Sequence, residues 1–202
     1  MAPRIGIFGG TFDPPHLGHL ILASEAVSQL SLTRLLWVLA AVPPHKIGEP
    51  ISPVDGRLTM LRLALQGEPL FEISRVDIDR PGPHYTIDTL GLLRAGHPGS
   101  DLILVIGGDS LHDLPQWHRP AEVIAACDEI GVMRRPGDAI DLSALLAELP
   151  GLAGKVHYID APLLEISSHE IRERVRAGQP FRYFLPAPVY QFVNEQRLYA
   201  SA

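Results

Sequence analysis

The amino-acid sequence predicts an α/β fold: a Rossmann-like parallel sheet with helices on both faces, in a single domain. Three observations carry this expectation. Short, near-continuous apolar runs recur along the chain with helical patterns between them, the pattern of strands buried on both faces. Most residues able to do chemistry fall just after those runs, where open α/β sheets bind ligands. The 202 residues, 46% of them hydrophobic, suffice for one full-sized core.

The first strand is read at Ile5–Phe8, and a helix follows with apolar positions at Leu17, Leu20, Ile21, Ala23, Val27 and Leu30. Leu35–Leu39 is the second strand. It opens the longest apolar run, Leu35 to Val42, whose eight residues are far too few to cross a bilayer. Further strands are expected at Phe71–Ile73, Leu102–Ile106, Ile130–Met133 and Val156–Ile159. The intervening helices are expected at Val54–Leu65, Thr86–Leu93, Ala121–Ala126 and Leu142–Leu149. Two more helices, Ser168–Arg176 and Ala187–Gln196, belong to a C-terminal segment, 166–199, that packs on a domain spanning 1–202. Prolines and glycines punctuate many short loops rather than one linker, and no repeat is visible.

Composition narrows the partners. A net charge of −6 argues against a nucleic-acid backbone, yet a small anion needs only a few local cations. The first strand begins without a charged and apolar leader. The single cysteine, Cys127, excludes an intramolecular disulfide and a cysteine zinc cluster, and its apolar neighbours make it a small core residue. A reducing cytoplasm fits these features, with neither membrane nor nucleic acid as partner and self-association left open.

The most informative stretch is Gly9 to Leu20, GGTFDPPHLGHL, where a glycine turn joins a strand to a helix. Gly9 and Gly10 allow close approach of a ligand to the backbone. His16 and His19, three apart, project from one face of the helix start, where free N–H groups and the dipole already favour an anion. Two imidazoles there suit the charge that builds on transferring phosphates. A metal pair of the HExxH kind is the alternative, but the glutamate is missing and no third ligand is obvious.

HLGH resembles the HxGH signature of the nucleotidyltransferase superfamily, and GGTFDPxHxGH is similar to the nicotinate-nucleotide adenylyltransferase family, with a likeness that runs nearly end to end. The resemblance implies adenylyl transfer from ATP to nicotinate mononucleotide. Gly9, Gly10, Thr11 and Phe12 would then line the ATP site, and His16 and His19 would contact its phosphates.

Further matching segments follow the other strands. Val42-Pro43-Pro44-His45-Lys46 resembles a PPHK loop that approaches the mononucleotide, although a solvated Lys46 is the plain alternative. Arg57 and Arg62 on the next helix are read as surface charges. His84-Tyr85-Thr86-Ile87-Asp88-Thr89-Leu90 resembles SYTIDTL, with His84 where many relatives carry Ser. Thr86 suits an N-cap and Asp88 the helix dipole; the resemblance adds that backbone groups at Tyr85 and Thr86 bind the nicotinate carboxylate. Gly107-Gly108-Asp109-Ser110-Leu111, followed by Trp117, is similar to GxDSL…W. Gly107 and Asp109 would then approach the nucleotides, with Asp109 taking ribose hydroxyls or serving as a cap, and Trp117 would stack on the pyridine ring. The resemblance also implies that Arg134, of the pair Arg134-Arg135, serves the substrate side.

Ile166-Ser167-Ser168-His169-Glu170-Ile171-Arg172 resembles ISxTxIR, which with HxGH holds the ATP phosphates; His169 replaces the common Thr. Ser167 and Glu170 also form a capping-box pattern. By this resemblance Ser167 and Ser168 belong to the ATP site, backbone N–H groups of the helix start, Ser168 and Arg172 would hold pyrophosphate oxygens, and Arg172 would complete a catalytic set with His16 and His19. No nucleophile adjoins a base in these motifs, so in the reaction the resemblance implies the mononucleotide phosphate can attack the α-phosphorus directly. Mg²⁺ is expected to arrive with ATP, since no carboxylate cluster suggests a dedicated site. The open alternatives are the same chemistry on nicotinamide mononucleotide or another phosphorylated acceptor, and a non-catalytic nucleotide sensor.

Overall fold

The computed structural model describes residues 2–43, 48, 50–133, 142–162 and 164–200. Its elements run β1 (Arg4–Gly10), α1 (Leu17–Gln29), β2 (Arg34–Leu39), α2 (Val54–Ala64), β3 (Phe71–Ser74), α3 (Thr86–Gly96), β4 (Asp101–Gly107), α4 (Gly108–His112), α5 (Pro120–Ala126), β5 (Glu129–Met133), α6 (Leu142–Glu148), β6 (Val156–Ile159), α7 (Ser168–Arg176) and α8 (Ala187–Glu195). Among the described residues, six strands form one sheet in the order β3-β2-β1-β4-β5-β6, with every neighbouring pair parallel. The chain steps outward from β1 to β3, then crosses back to lay β4 on the other side of β1. That reversal opens a crevice at the carboxyl ends of β1 and β4, the usual ligand position in such sheets.

Strand alternation divides the core in two. Phe8, Leu35, Trp37, Leu39, Ile103 and Val105 face one side, where α1, α2, α7 and α8 bring Ala23, Leu61, Ile171 and Val193 against them. Ile5, Ile7, Leu36, Val38, Leu104 and Val132 face the other, covered by α3 to α6 through Leu90, Leu111, Val123 and Leu145. Burying both faces explains why the strands read as continuous apolar runs. The C-terminal helices thus contribute to the first core.

Three local features differ from expectation. Gly108–His112 forms a short helix, α4, followed by a 3-10 turn at Leu114–Gln116. Thr86 is the first residue of α3, and Tyr85 occupies the cap position without a side-chain cap bond. Arg57 is no surface charge: it is 1% exposed. Arg62 is exposed, as read, and Cys127 is a buried thiol that burial pushes up to about 12. Among the described residues no helix is long and apolar enough to cross a membrane.

Candidate active site

Beyond β1 the chain turns through Thr11 and Phe12 to enter α1. A Cβ on Gly10 would lie 2.8 Å from the Phe12 ring, so the turn closes only around glycine. Phe12 sits at φ +49°, in the left-handed region that non-glycine residues rarely adopt. Its ring packs against Phe8 and Trp37, at centroid distances of 5.6 and 5.2 Å, and that packing holds the strained backbone.

His16 caps α1, and its ring stacks on His19 with centroids 3.6 Å apart and planes at 29°. A Cβ at Gly18 would lie 3.2 Å from the His16 ring, a tight contact that glycine avoids. His19 keeps partial solvent access but stands against Phe12, with centroids 5.2 Å apart. Burial, and after it the nearness of His16, holds the His19 imidazole well below the usual histidine range, so it is neutral at pH 7. Its Nδ1 accepts from the His16 backbone N–H at 3.2 Å. A neutral imidazole that accepts at Nδ1 carries its hydrogen on Nε2. His19 therefore offers an oriented neutral donor.

The second helix start, that of α7, is tied to the same loop. Ser168 Oγ donates to Pro14 O at 2.8 Å, and Arg172 Nη1 donates to Asp13 O at 2.8 Å. Ser167 caps α7 by accepting from Glu170 N at 3.1 Å; the Glu170 carboxylate pairs with Arg174 instead of completing the capping box. Two helix N-termini, α1 and α7, thus adjoin the segment Asp13–His16, and both favour an anion. Asp13 itself is 3% exposed, with Oδ2 accepting from Ser52 N at 3.0 Å and Oδ1 from Tyr199 Oη–H at 2.6 Å. Burial and that carboxylate push the Tyr199 hydroxyl far up from its ordinary value.

Arg57 is the residue the sequence reading missed. Its guanidinium donates to Thr11 O at 3.0 Å, Ala40 O at 2.8 Å, Ala41 O at 3.0 Å and Ser52 O at 2.9 Å. The signal was its spacing: Arg57 lies three, four and seven residues before Met60, Leu61 and Ala64, on the buried face of α2.

The other candidate residues gather across the sheet. Tyr85 and His118 rings stand 4.1 Å apart, which brings the start of α3 beside Trp117. Trp117 is half-buried against the core on that face. Thr89 donates to Asp77 Oδ1 at 2.8 Å, and Arg80 pairs with the same carboxylate at 2.9 Å, tying the preceding loop to α3. His84 is buried too. Its Nδ1 accepts from Val42 N at 2.9 Å, so this departure from Ser links the loop before α3 to the loop after β2. Asp109 stands exposed in the first turn of α4, just beyond Gly107 at the end of β4. A Cβ on Gly9 or Gly107 would meet nothing within 4 Å, so open space adjoins both strand ends. His45, Lys46 and Arg134 lie outside the described residues. Among the described residues, no group of three or more His, Cys, Asp or Glu could hold a metal ion.

Glycine turns at the reversal of strand order, paired helix N-termini and an oriented histidine donor define a nucleotide-handling α/β domain. The family model described as cytidylyltransferase-like matches residues 7–174. A Thermomicrobium roseum protein named "Probable nicotinate-nucleotide adenylyltransferase" is 48% identical over 198 residues, covering 98% of this chain and 92% of that protein. The nicotinate-nucleotide adenylyltransferase of Bacillus subtilis is 38% identical over 198 residues, covering 98% and 99%. The chain belongs to the nicotinate-nucleotide adenylyltransferase family. Its fold is also that of Plasmodium falciparum nicotinic acid mononucleotide adenylyltransferase complexed with NaAD, at a TM-score of 0.79 and 19% identity over 98% of this chain and 97% of that one.

Proposed function

We propose that the segment Gly9–His19 and the start of α7 carry adenylyl transfer from ATP to nicotinate mononucleotide, the reaction for which the family is named. A phosphate oxygen of the mononucleotide attacks the α-phosphorus of ATP. The bond from that phosphorus to the α,β-bridging oxygen breaks, leaving nicotinate adenine dinucleotide and pyrophosphate. Two anions must be aligned, and the charge added at the transferring phosphorus must be stabilised. The observation that supports this reading best is the stacked His16–His19 pair, with its Nε2–H fixed beside two helix N-termini.

In this reading His16 and His19 contact the ATP phosphates. His19 donates from Nε2 to the oxygen that gains charge, and needs no proton transfer to do so. Backbone N–H groups of Gly9, Gly10, Thr11 and Phe12 line the approach of the triphosphate. Arg172 holds the leaving pyrophosphate with the N–H groups it does not give to Asp13 O, and Ser167 and Ser168 hold the start of α7 in place. Gly107 gives the nucleotide access to the strand end, and Asp109 takes ribose hydroxyls. Tyr85 and Thr86 bind the nicotinate carboxylate through backbone groups, Trp117 stacks on the pyridine ring, and His45, Lys46 and Arg134 serve the mononucleotide.

A divalent cation such as Mg²⁺, arriving with ATP, would supply neutralisation of phosphate charge, without a dedicated carboxylate cage among the described residues. The working compartment in this reading is the cytoplasm.

His19→Ala tests it. Turnover is expected to fall about 10²–10³-fold, as for loss of one donor to a developing charge, with the circular dichroism spectrum unchanged. Near-normal turnover in that folded variant contradicts the role of His19.

A further inference from the structure

We infer that Arg57 is a positioning residue that couples the catalytic loop after β1 to the acceptor-side loop after β2. The inference rests on the reading above, in which the first loop carries the ATP phosphates and the second leads to His45 and Lys46.

Four of the five N–H bonds of Arg57 are used on backbone carbonyls of three separate segments. One goes to Thr11 in the catalytic loop, two to Ala40 and Ala41 at the root of the acceptor loop, and one to Ser52 at the entry to α2. The same segments are joined directly, through Ala40 N–H to Gly10 O at 3.0 Å. Ser52 closes the circuit: its carbonyl accepts from Arg57, while its N–H donates to Asp13. Beyond it, Val42 N–H is held by His84, so three consecutive residues of the acceptor-loop root are tied down. Burial lowers the guanidinium's hold on its charge more than Asp13 and Tyr199 restore it. A costly buried cation is thus retained to gather carbonyls that no neutral side chain could gather. Only a rigid planar fork reaches acceptors in so many directions; an ammonium offers three donors from one point.

In-line transfer needs the acceptor phosphate and the α-phosphorus held within a narrow approach, and a displacement of about 1 Å is worth about 10²-fold in rate. A residue bonded to both loop roots sets that separation without touching either substrate. Loss of Arg57 geometry therefore lowers kcat more than it raises either KM.

The test compares wild type, Arg57→Lys and, as a control for simple destabilisation, Leu152→Ala in the core on the other face of the sheet. Expected for Arg57→Lys is a kcat loss of about ten- to hundredfold with each KM changed less than kcat. Hydrogen exchange is expected to quicken in both 10–16 and 40–42. Leu152→Ala is expected to lower the melting temperature while leaving kcat and both exchange patterns near wild type. A kcat within twofold of wild type in folded Arg57→Lys overturns the inference, as does quickening confined to one loop. If Arg57→Lys does not fold, the wild-type chain decides. A non-hydrolysable ATP analogue alone should slow exchange in 40–42 as well as 10–16, and protection confined to 10–16 overturns the coupling. Failure of the wild type to release pyrophosphate with nicotinate mononucleotide would instead count against the functional reading, which the exchange data do not depend on.

Discussion

In the proposed reading, His19 concentrates the chemistry of the site in one ring. Desolvation keeps it neutral, and the His16 amide selects the tautomer with its hydrogen on Nε2. A neutral donor can approach a phosphate oxygen and stabilise added charge without first losing a proton. The same burial has a measurable thermodynamic consequence. The folded-state pKa of His19 lies below its unfolded value near 6.5, so as pH falls the unfolded chain takes up the proton first. Stability is therefore fully present above pH 6.5 and is lost as pH falls from 6.5 toward the folded pKa. Melting temperatures measured across this range should fall less for His19→Gln than for wild type, and superimposable curves contradict the assigned shift. The presence of two histidines at the glycine turn between β1 and α1 was legible from GGTFDPPHLGHL. Their charge state was not, because stacking, enclosure by Phe12 and the Nδ1 bond arise only on folding. Arg57 was misread for a different reason. An arginine is usually solvated, and the apolar face it shares with Met60, Leu61 and Ala64 was outweighed by that expectation.

At the scale of elements, the strands were readable because each is buried on both faces and so spells a continuous apolar run, as in Leu35–Leu39 and Leu102–Ile106. The longer helices followed from periodicity and capping. Ser167 does cap α7, although only half of the capping box forms, since Glu170 finds Arg174 one turn along. Helix α4 escaped notice because Gly108–His112 is little more than one turn, too short to show a period, and glycine at its start argues for a loop. The cap of α3 moved by one residue, from Thr86 to Tyr85, within the ordinary uncertainty of a helix end. What no local pattern carries is the meeting of α7 with the loop before α1. Arg172 and Asp13 are 159 positions apart, and Tyr199 and Asp13 are 186 apart. The C-terminal segment, read as packing alone at its far end, thus supplies a buttress for the loop before α1 through Tyr199.

For the molecule as a whole, the sheet separates two sets of candidate residues along one edge. His19 belongs to α1 and Arg172 to α7, on the face covered by α1, α2, α7 and α8; Trp117 packs against the opposite core, next in sequence to the His118 whose ring meets Tyr85. The reversal between β1 and β4 opens that edge, with space beyond Gly9 and Gly107. Such a division implies separable substrate sites. Trp117→Ala is expected to raise KM for the mononucleotide about three- to tenfold, the worth of a lost ring stack, while KM for ATP stays near wild type; equal weakening of both contradicts the division. The most direct measurement is pyrophosphate release by the wild-type chain with Mg²⁺ and ATP, comparing nicotinate mononucleotide with nicotinamide mononucleotide. We expect rapid release with the acid and a strong preference for it over the amide. Absence of release with the acid would contradict adenylyl transfer to nicotinate mononucleotide as the reaction of this site.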